Sequence, residues 1–248
     1  MHYMDKGLPD SIAIYFHSLE PADYYAFREL VQFLRSSGYE FCLPDDFLID
    51  DDRKKAFLSF DDNYRSWYEA LQLFEELAVS VTFYINTLPL RGKAGRREQL
   101  EYFNRICHRG ERVPLDADEI RELEADGHVI GSHTHSHFIL SSLRLQQAKD
   151  EILRGKEELE GILYNEVRHF SYPFGMRRHF NKTLRAYCKA IGFATVASAI
   201  PGLQHRAHRH FHINRTLYRL ERPLEQNVLN VRIDGRLFEW LTGRSVAE

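Results

Sequence analysis

The chain has 248 residues and a formal net charge of −3, and 44% of its residues are hydrophobic. This length and apolar content suit one ordinary soluble domain with a sizeable core, so no second domain is needed. A charge this close to neutral gives no electrostatic basis for a nucleic-acid partner. No run approaches the roughly 20 apolar residues of a membrane span, so we expect no transmembrane segment.

Two features of the sequence concern its compartment. Residues 1–11 lack a cationic region followed by an apolar stretch, so they do not predict a secretory signal. Cys42, Cys107 and Cys188 are an odd number without CxxC spacing, which is typical of a reducing compartment. Their simplest interpretation is that they are buried small side chains. We therefore expect a cytoplasmic protein.

Short β-branched or aromatic runs alternate with longer helical patterns, which indicates crossover connections and a mostly parallel sheet. In chain order, strands are predicted at residues 12–16, 39–43, 56–60, 79–85, 128–130, 170–172, 192–197 and 213–217. Helices with one apolar face are predicted in the intervals, and a closing helix is predicted at about residues 224–241. The pattern predicts an α/β protein in which strands and helices take turns.

One interval breaks this alternation. From residue 88 to 113 the sequence is a charged stretch too long for an ordinary connection, so we expect an insertion over the mouth of the fold that shapes substrate access. After it, Asp116 and Glu119 have the spacing of a capping box and predict a helix that ends at residues 126–127. A long amphipathic helix follows at residues 143–163. Its predicted inner stripe consists of Ala148, Ile152, Leu159 and Ile162.

Candidate ligand residues follow two of the predicted strands. Asp61 and Asp62 come directly after residues 56–60, and the sequence GSHTHSH at residues 131–137 places His133 and His137 four residues apart. Two imidazoles and one carboxylate can bind a divalent metal with an open position for water, and the second carboxylate would remain as a base. Taken separately, a polar strand end or helix N-cap for the aspartates and solvated loop histidines would be the favoured explanations, since the chain has 13 histidines.

The candidate residues share one place in the predicted fold. His17, the two aspartates, His133 and residues 173–175 each lie just after a predicted strand. In parallel barrels this edge carries the active site, because the strand-to-helix loops converge there. Neighbouring residues of a strand face opposite sides, but at a frayed strand end both aspartates could reach one cavity. This convergence favours a single site over the separate explanations.

Three motifs stand in a fixed order along the chain: SFDD at residues 59–62, HTHSH at residues 133–137 and FSYPFG at residues 170–175. Together they resemble the polysaccharide deacetylases, carbohydrate esterase family 4, whose catalytic unit is also called the NodB homology domain. The likeness runs from about residue 12 to about residue 217, and three ordered motifs are far more specific than one. It implies a distorted (β/α)7 barrel in a single domain over residues 1–248. It also implies a metal-dependent hydrolase that removes an N-acyl, usually N-acetyl, group from an amino sugar.

The resemblance implies a role for each matching residue. Asp61 would be the general base of the reaction. The residues that would bind one divalent metal are Asp62, His133 and His137. Thr134 and Ser136 would stabilise the loop that carries the histidines. This ligand set favours zinc, and it also suits cobalt, nickel or iron.

The third motif would complete the site around the reacting carbonyl group. The backbone N–H of Phe174, after Pro173, would donate to the tetrahedral oxyanion, an interaction worth about 3 kcal/mol in other hydrolases. Tyr172 and Gly175 belong to the same substrate-binding stretch. Most aromatic side chains of such a chain are core, but four are candidates for stacking on sugar faces. They are Tyr15, Tyr64, Tyr172 and Phe174.

The chain departs from the common form of the family. Asn63 stands where a glycine usually follows the two aspartates, and asparagine adopts positive φ more readily than most residues. Ser171 replaces the arginine of the third motif. Arg215 is either the cation that holds the base or an ordinary surface arginine of a basic stretch.

The catalytic acid is also unusual. We assign this acid to a residue early in the chain rather than to the late Leu-x-His that supplies it in the family. The chain resembles instead a permuted branch of the family, in which an early strand ends in a histidine. His17 fits that place, and a capping or packing role is its alternative.

Three functions remain open at this point. The leading hypothesis is a cytoplasmic, metal-dependent deacetylase of an N-acylated amino sugar, linked to a nucleotide, a lipid or an oligosaccharide, in the assembly of a surface polysaccharide such as O antigen or capsule. The second keeps the barrel and the metal but hydrolyses a formamide or a cyclic amide. The third is a non-catalytic carbohydrate-binding relative. The intact residues at positions 61, 62, 133 and 137 argue against the third, because a degenerate relative would be free to lose them.

Overall fold

A computed structural model of the protein describes residues 8–201, apart from residues 109 and 111, and residues 211–231. Its strands are β1 Ser11–Phe16, β2 Glu40–Cys42, β3 Lys55–Asp62, β4 Thr82–Ile85, β5 Val129–Ser132, β6 His169–Ser171, β7 Thr195–Ala197, β8 His212–Ile213 and β9 Thr216–Leu217. They form one sheet in the order β8-β7-β6-β5-β4-β3-β1-β9, with β2 paired to β3 beside this path. All of these pairings are parallel, as the alternating sequence pattern predicts.

The helices lie in the intervals between strands. They are α1 Tyr24–Ser36, α2 Pro44–Phe47, α3 Ser66–Glu69, α4 Leu71–Glu76, α5 Arg96–Arg105, α6 Ala117–Ala125, α7 Leu145–Leu163 and α8 Lys182–Ala190. Residues 224–231 are also helical, and residues 232–241 of the predicted closing helix lie outside the described residues. Within the described ranges, no helix combines the length and the apolar character that a membrane crossing requires.

The first strand, β1, and the last two strands, β8 and β9, close the sheet into a barrel. Strands β1, β3, β4, β5, β6 and β7 occupy six positions, and β8 and β9 share the seventh. β8 pairs with β7, β9 pairs with β1, and only Asn214 and Arg215 separate the two short strands. The structure therefore splits the strand predicted at residues 213–217, because the chain steps there from one edge of the sheet to the other. The predicted distorted (β/α)7 barrel is confirmed.

Two apolar clusters occupy the two faces of the sheet. The larger one lies between strands and helices, and its members from β1 and β3 are Ile12, Ile14, Phe16, Ala56, Leu58 and Phe60. Ala13 and Phe57 point the other way, into a smaller cluster inside the barrel. Because side chains alternate along a strand, His17 and Asp61 continue these inward rows, each four residues further on. The strand period thus directs both residues into the barrel interior at its carboxyl edge.

The segment predicted as an insertion, residues 88–113, contains α5 and lies against this carboxyl edge. Tyr102 and Phe103 of α5 are buried, and the Tyr102 hydroxyl donates to Asn86 Oδ1 at 2.8 Å. Arg105, the last residue of α5, donates from its guanidinium to the carbonyl oxygen of Ser136. The segment is therefore attached to the histidine loop as well as to the end of β4.

His128, just before β5, is a buried histidine whose protonation opposes folding. Its Nδ1 accepts a hydrogen bond from the backbone N–H of Val81 at 3.1 Å, and its ring packs edge-on against Phe74 and Phe83. Burial lowers the pKa of His128 to about 4, from an ordinary value of 6.5. Between these two values the unfolded chain binds a proton here that the folded chain does not, so stability falls as the pH decreases through this window.

When the pH falls from 7 to 5, the unfolded chain takes up a proton at His128. We expect this proton uptake to lower the unfolding free energy by about 2 kcal/mol. In His128→Asn, the amide oxygen takes the place of Nδ1 and can accept from Val81 but takes up no proton, so the decrease between the two pH values should be smaller. Urea unfolding of both proteins at pH 7 and pH 5 measures this difference. An equal decrease in the two proteins would contradict the assignment to His128.

Candidate metal-binding active site

Asp61 and Asp62, at the end of β3, line the same cavity although they are neighbours in a strand. Asp61 continues the inward row of the strand. Asp62 would face the helices if the strand were regular, but its φ of +89° redirects the backbone and turns its side chain to the cavity. A non-glycine residue rarely adopts this conformation, and it persists only where its surroundings hold it in place. The expectation that both carboxylates reach one cavity is met by this local distortion.

Asn63 does not use the positive φ that asparagine adopts readily, and the positive φ falls one residue earlier, at Asp62. Asn63 instead uses its side chain as a connector. Its Nδ2 donates to the carbonyl oxygen of Asn86, and its Oδ1 accepts from the backbone N–H of Leu115, both at 2.8 Å. The glycine found here in the common form of the family has no side chain that could make these hydrogen bonds.

His133 and His137 lie next to Asp62 and are buried. His137 Nε2 is 3.2 Å from Asp62 Oδ1, His133 Nε2 is 3.7 Å from the same oxygen, and the three possible ligand atoms lie within 4.8 Å of one another. Ligands at zinc bond lengths of about 2.0–2.1 Å in a tetrahedron are about 3.3–3.5 Å apart. The three groups therefore fit a single divalent ion. Among the described residues, no other group of His, Cys, Asp or Glu has this geometry.

Hydrogen bonds fix which atom of His133 and which atom of Asp62 faces the space between the three groups. His133 Nδ1 donates to the carbonyl oxygen of Ser171 at 2.7 Å, which leaves Nε2 with its lone pair. The Tyr64 hydroxyl donates to Asp62 Oδ2 at 3.0 Å, which leaves Oδ1 toward the histidines. Burial lowers the pKa of His133 to about 4, so the imidazole is neutral near pH 7, as a metal ligand must be.

The carboxyl group of Asp62 is ionised in this arrangement. Its burial by itself raises the pKa, but the adjacent His137, which also forms a hydrogen bond to it, and the nearby His17 outweigh that effect and hold the pKa below its ordinary value. Asp62 and the two imidazoles thus offer one carboxylate oxygen and two ring nitrogens, a donor set that zinc and related transition metals accept.

Arg215 holds Asp61 in a bidentate ion pair, with both N···O distances at 2.7 Å, and its side chain is fully buried. All five guanidinium N–H groups have acceptors. The other three bonds reach Ser59 Oγ at 2.9 Å, the Ser198 carbonyl oxygen at 2.9 Å and Ser171 Oγ at 2.7 Å. Of the two interpretations open from the sequence, the structure therefore supports the cation that holds Asp61.

The same guanidinium lies between two aromatic rings, 4.8 Å from the Tyr15 centroid and 5.0 Å from that of Tyr84. Burial alone raises the pKa of Asp61, but the charge and hydrogen bonds of Arg215, together with the nearby His133 and His17, outweigh it and hold the pKa below its ordinary value. Asp61 is therefore ionised at neutral pH. A carboxylate has about four lone-pair sites, so the bidentate pair leaves some of them free to accept a proton.

The cavity at this edge has a volume of about 220 Å³. Its lining consists of Tyr15, His17, Asp61, Asp62, Arg105, Ile106, Cys107, His133, His137, Phe174, Gly175 and Ala199. His17 is exposed at this surface. Arg105, Ile106 and Cys107 of this lining come from the insertion. The cysteines differ in part from the prediction that all three are buried. Cys42 and Cys188 are buried, as expected, whereas Cys107 is exposed.

The third motif contributes only part of its length to the cavity. Phe174 and Gly175 line it, both with positive φ, and the Phe174 ring packs against His137 with centroids 4.9 Å apart. Tyr172 and Pro173 are buried outside it, and the Tyr172 ring stacks on Phe180 at 4.5 Å. Of the four candidates for sugar stacking, only Tyr15 and Phe174 line the cavity.

Sequence reasoning missed several residues that hold the site together. Tyr64 was considered for sugar stacking, yet it is buried and bonded to Asp62. Asn86 directly follows β4, and its Nδ2 donates to the carbonyl oxygen of His133. Its place at the end of a parallel strand was a usable signal, since the other site residues lie at that edge. Glu151 of α7 contacts Ser136, and no sequence signal distinguishes it from its exposed neighbours.

The sequence model described as polysaccharide deacetylase matches residues 49–196, which is more than half of the chain. The chain belongs to the polysaccharide deacetylase family. The family resemblance drawn from the three motifs is therefore confirmed, and the matched range includes all of them. His17 and Arg215 lie outside the matched residues, so their place in the site rests on the geometry alone.

Individual relatives are distant. YxkH of Bacillus subtilis (strain 168), whose name describes it as a polysaccharide deacetylase, is 23% identical over 186 residues. That match covers 73% of this chain but 59% of the relative, so the chain spans less than two thirds of this curated relative's length.

Two solved structures share the fold over nearly their whole length. The deacetylase PplD of Streptococcus pyogenes, in complex with acetate, has a TM-score of 0.69 at 16% identity, covering 90% of this chain and 97% of that one. IcaB from Ammonifex degensii has a TM-score of 0.72 at 18% identity, covering 89% of this chain and 96% of that one. These structures support the barrel architecture of the polysaccharide deacetylase family.

Proposed function

We propose that the protein is a metal-dependent deacetylase that hydrolyses an N-acetyl or related N-acyl group of an amino sugar. The observation that carries this proposal is the meeting of Asp62, His133 and His137 within 4.8 Å, with the ionised Asp61 in the same cavity. Hydrolysis of an unactivated amide requires activation of water, a base for its proton and an acid for the leaving amine. This cavity contains a candidate for each task.

The metal would be held by Asp62, His133 and His137, and zinc suits these donors best, with cobalt, nickel or iron as alternatives. When bound, such an ion supplies Lewis acidity and lowers the pKa of water. Asp61 accepts the proton of the attacking water as general base, and Arg215 orients it and keeps it ionised. The backbone N–H of Phe174 donates to the oxyanion that develops on the carbonyl oxygen.

His17 is the proposed general acid. It ends the inward row of β1, lines the cavity and is exposed, so it can exchange protons with solvent. A protonated imidazole at this position donates to the nitrogen of the leaving amine. Without that proton, the tetrahedral intermediate would return to the amide, because an amine anion is a poor leaving group.

The substrate class follows from family and site together. The Streptococcus pyogenes deacetylase was solved in complex with acetate, the product that deacetylation releases. For this chain we propose an amino sugar whose N-acetyl group enters the cavity, with Tyr15 and Phe174 as contacts for the sugar. Tyr172 and Pro173 would act by shaping the backbone before Phe174. A nucleotide, lipid or oligosaccharide carrier, a role in surface-polysaccharide assembly and a cytoplasmic location stay predictions from the sequence.

Metal analysis and product analysis on one preparation test the proposal. We expect about one divalent ion per chain, and release of acetate from at least one of N-acetylglucosamine, its nucleotide conjugate and its oligomers. Chelator treatment should abolish the activity and zinc should restore it. Metal with formate or a ring-opened product would instead select the hydrolase of another C–N bond. A protein with neither metal nor product would be the non-catalytic relative.

We expect Asp61→Asn to lose at least about 10²-fold in kcat, because the base is removed, while metal content stays near one per chain. The change also leaves Arg215 as an unpaired buried charge, so the unfolding free energy should fall by about 3–5 kcal/mol. Turnover is therefore measured per folded protein, with the folded fraction taken from urea unfolding. The double variant Asp61→Asn with Arg215→Met serves as the control for stability, since it removes both charges. Activity in Asp61→Asn would rule out this base.

We expect His17→Ala to lower kcat about 10²- to 10⁴-fold without changing metal content or stability, because the side chain is exposed. The hydrogen bond from Trp67 Nε1 to the His17 carbonyl oxygen, at 2.7 Å, is kept in this variant. The basic limb of the pH-rate profile should disappear. An aryl acetamide, whose leaving amine needs less protonation, should lose less activity than a sugar substrate. An unchanged pH-rate profile would refute the role of His17 as acid.

A further inference from the structure

The loop at residues 133–137, which carries both histidine ligands, has a strained backbone. Thr134 and His137 have φ values of +71° and +60°, in the left-handed region that residues with a side chain rarely adopt. A hydrogen bond from the His137 backbone N–H to Thr134 Oγ1, at 3.2 Å, lies within the loop. Such a conformation persists only where surrounding structure over-determines it. Helix α7 supplies contacts that hold the loop in this conformation.

Glu151, in the first half of α7, contacts two consecutive residues of this loop. Its side chain accepts from the backbone N–H of Ser136 at 2.9 Å and from the Ser136 hydroxyl at 2.6 Å. Its own carbonyl oxygen accepts from the backbone N–H of His135 at 3.0 Å. One helix residue thus receives three hydrogen bonds from the segment between the two histidine ligands. The side-chain bonds are charge-assisted, which makes them stronger than neutral ones.

Gly155, one turn further along α7, lets the helix approach the loop backbone. A Cβ atom at this position would lie 2.6 Å from the carbonyl carbon of Thr134 and 2.9 Å from the backbone nitrogen of His135. Both are backbone atoms, which cannot move aside as the end of a flexible side chain can. Any larger residue would therefore displace the loop or the helix.

Glu158 is three residues beyond Gly155 and lies on the same face of the helix. Its Oε2 is 3.0 Å from His135 Nδ1, and Thr87 Oγ1 is 2.9 Å from the same nitrogen. Its Oε1 is held by Lys93 Nζ at 2.7 Å and Arg154 Nε at 2.9 Å. The middle histidine of the motif therefore faces α7, whereas the outer two face Asp62.

We propose that Glu151, Gly155 and Glu158 form a positioning surface, the α7 platform, that sets the separation of His133 and His137 and with it the metal affinity of the site. None of the three belongs to the proposed ligand set, so each is a positioning residue that acts through the loop. This inference rests on the proposed function in one respect, namely that the two histidines share a divalent metal ion. It goes beyond that function by assigning part of the affinity to a helix outside the cavity.

The test uses Glu151→Gln and Gly155→Ala, with Glu157→Gln as the matched control, since Glu157 is exposed on the same helix. Zinc affinity of each full-length apoprotein is measured by chelator competition, and the absorption spectrum of the cobalt-loaded protein reports the coordination geometry. We expect at least 10-fold weaker zinc binding and an altered cobalt spectrum for Glu151→Gln and Gly155→Ala. Glu157→Gln should match the wild type in both measurements.

A merely structural role predicts a different result: a lower unfolding midpoint of the metal-free variants but wild-type zinc affinity per folded protein. That outcome, with tight binding by the wild type, would overturn this inference alone. A wild-type protein that binds neither zinc nor cobalt would overturn the proposed function and this inference with it. If Gly155→Ala does not fold, Glu151→Gln still decides the question, because it changes one side-chain atom and adds no volume.

Discussion

The buried ion pair between Asp61 and Arg215 joins the barrel's closure to its chemistry. Burying two charges is unfavourable unless their geometry is good and their remaining donors are satisfied. Here the pair is bidentate and each of the five guanidinium N–H groups has an acceptor. Arg215 also occupies the two-residue step between β8 and β9 at which the chain crosses from one sheet edge to the other. A residue at the step where the barrel closes is therefore also the residue that holds Asp61.

Two neighbouring carboxylates acquire different tasks because their surroundings differ. The side chain of Asp61 points into the barrel, as the regular strand period requires, and pairs with the permanently charged Arg215. The positive φ of Asp62 interrupts the regular strand conformation. Its side chain therefore lies beside His133 and His137 and accepts a hydrogen bond from the Tyr64 hydroxyl. Asp61, paired with a fixed cation, is not positioned to share a metal with the histidines, whereas Asp62, beside the two imidazoles, is. One backbone distortion thus separates the proposed base from the proposed ligand.

Much of this arrangement follows from local sequence signals, and the remainder depends on tertiary contacts. The strand period places His17 and Asp61 inside the barrel, and the ordered motifs bring Asp62, His133 and His137 to one edge. The partnership of Arg215 with Asp61 joins residues 154 positions apart, and no periodicity encodes it. The positive φ lies at Asp62 rather than Asn63, because Asn63 is held by side-chain bonds to two other segments. Tyr64 and Glu151 likewise take their roles from hydrogen-bond geometry that exists only in the folded chain.

The site divides into two parts with different origins in the chain. The proposed metal ligands come from the ends of β3 and β5, within the residues that match the family model. The groups proposed to supply the leaving-group proton and to orient the base, His17 and Arg215, come from β1 and from the step between β8 and β9, outside that match. These strands are far apart in sequence and become neighbours only because β9 pairs with β1. In the proposed mechanism, metal binding depends on the middle of the barrel and the α7 platform, whereas proton transfer depends on the seam where the barrel closes. A disruption between β1 and the step from β8 to β9 would impair the proposed proton transfer but not the proposed metal binding, because His133 and His137 are held by contacts elsewhere in the barrel.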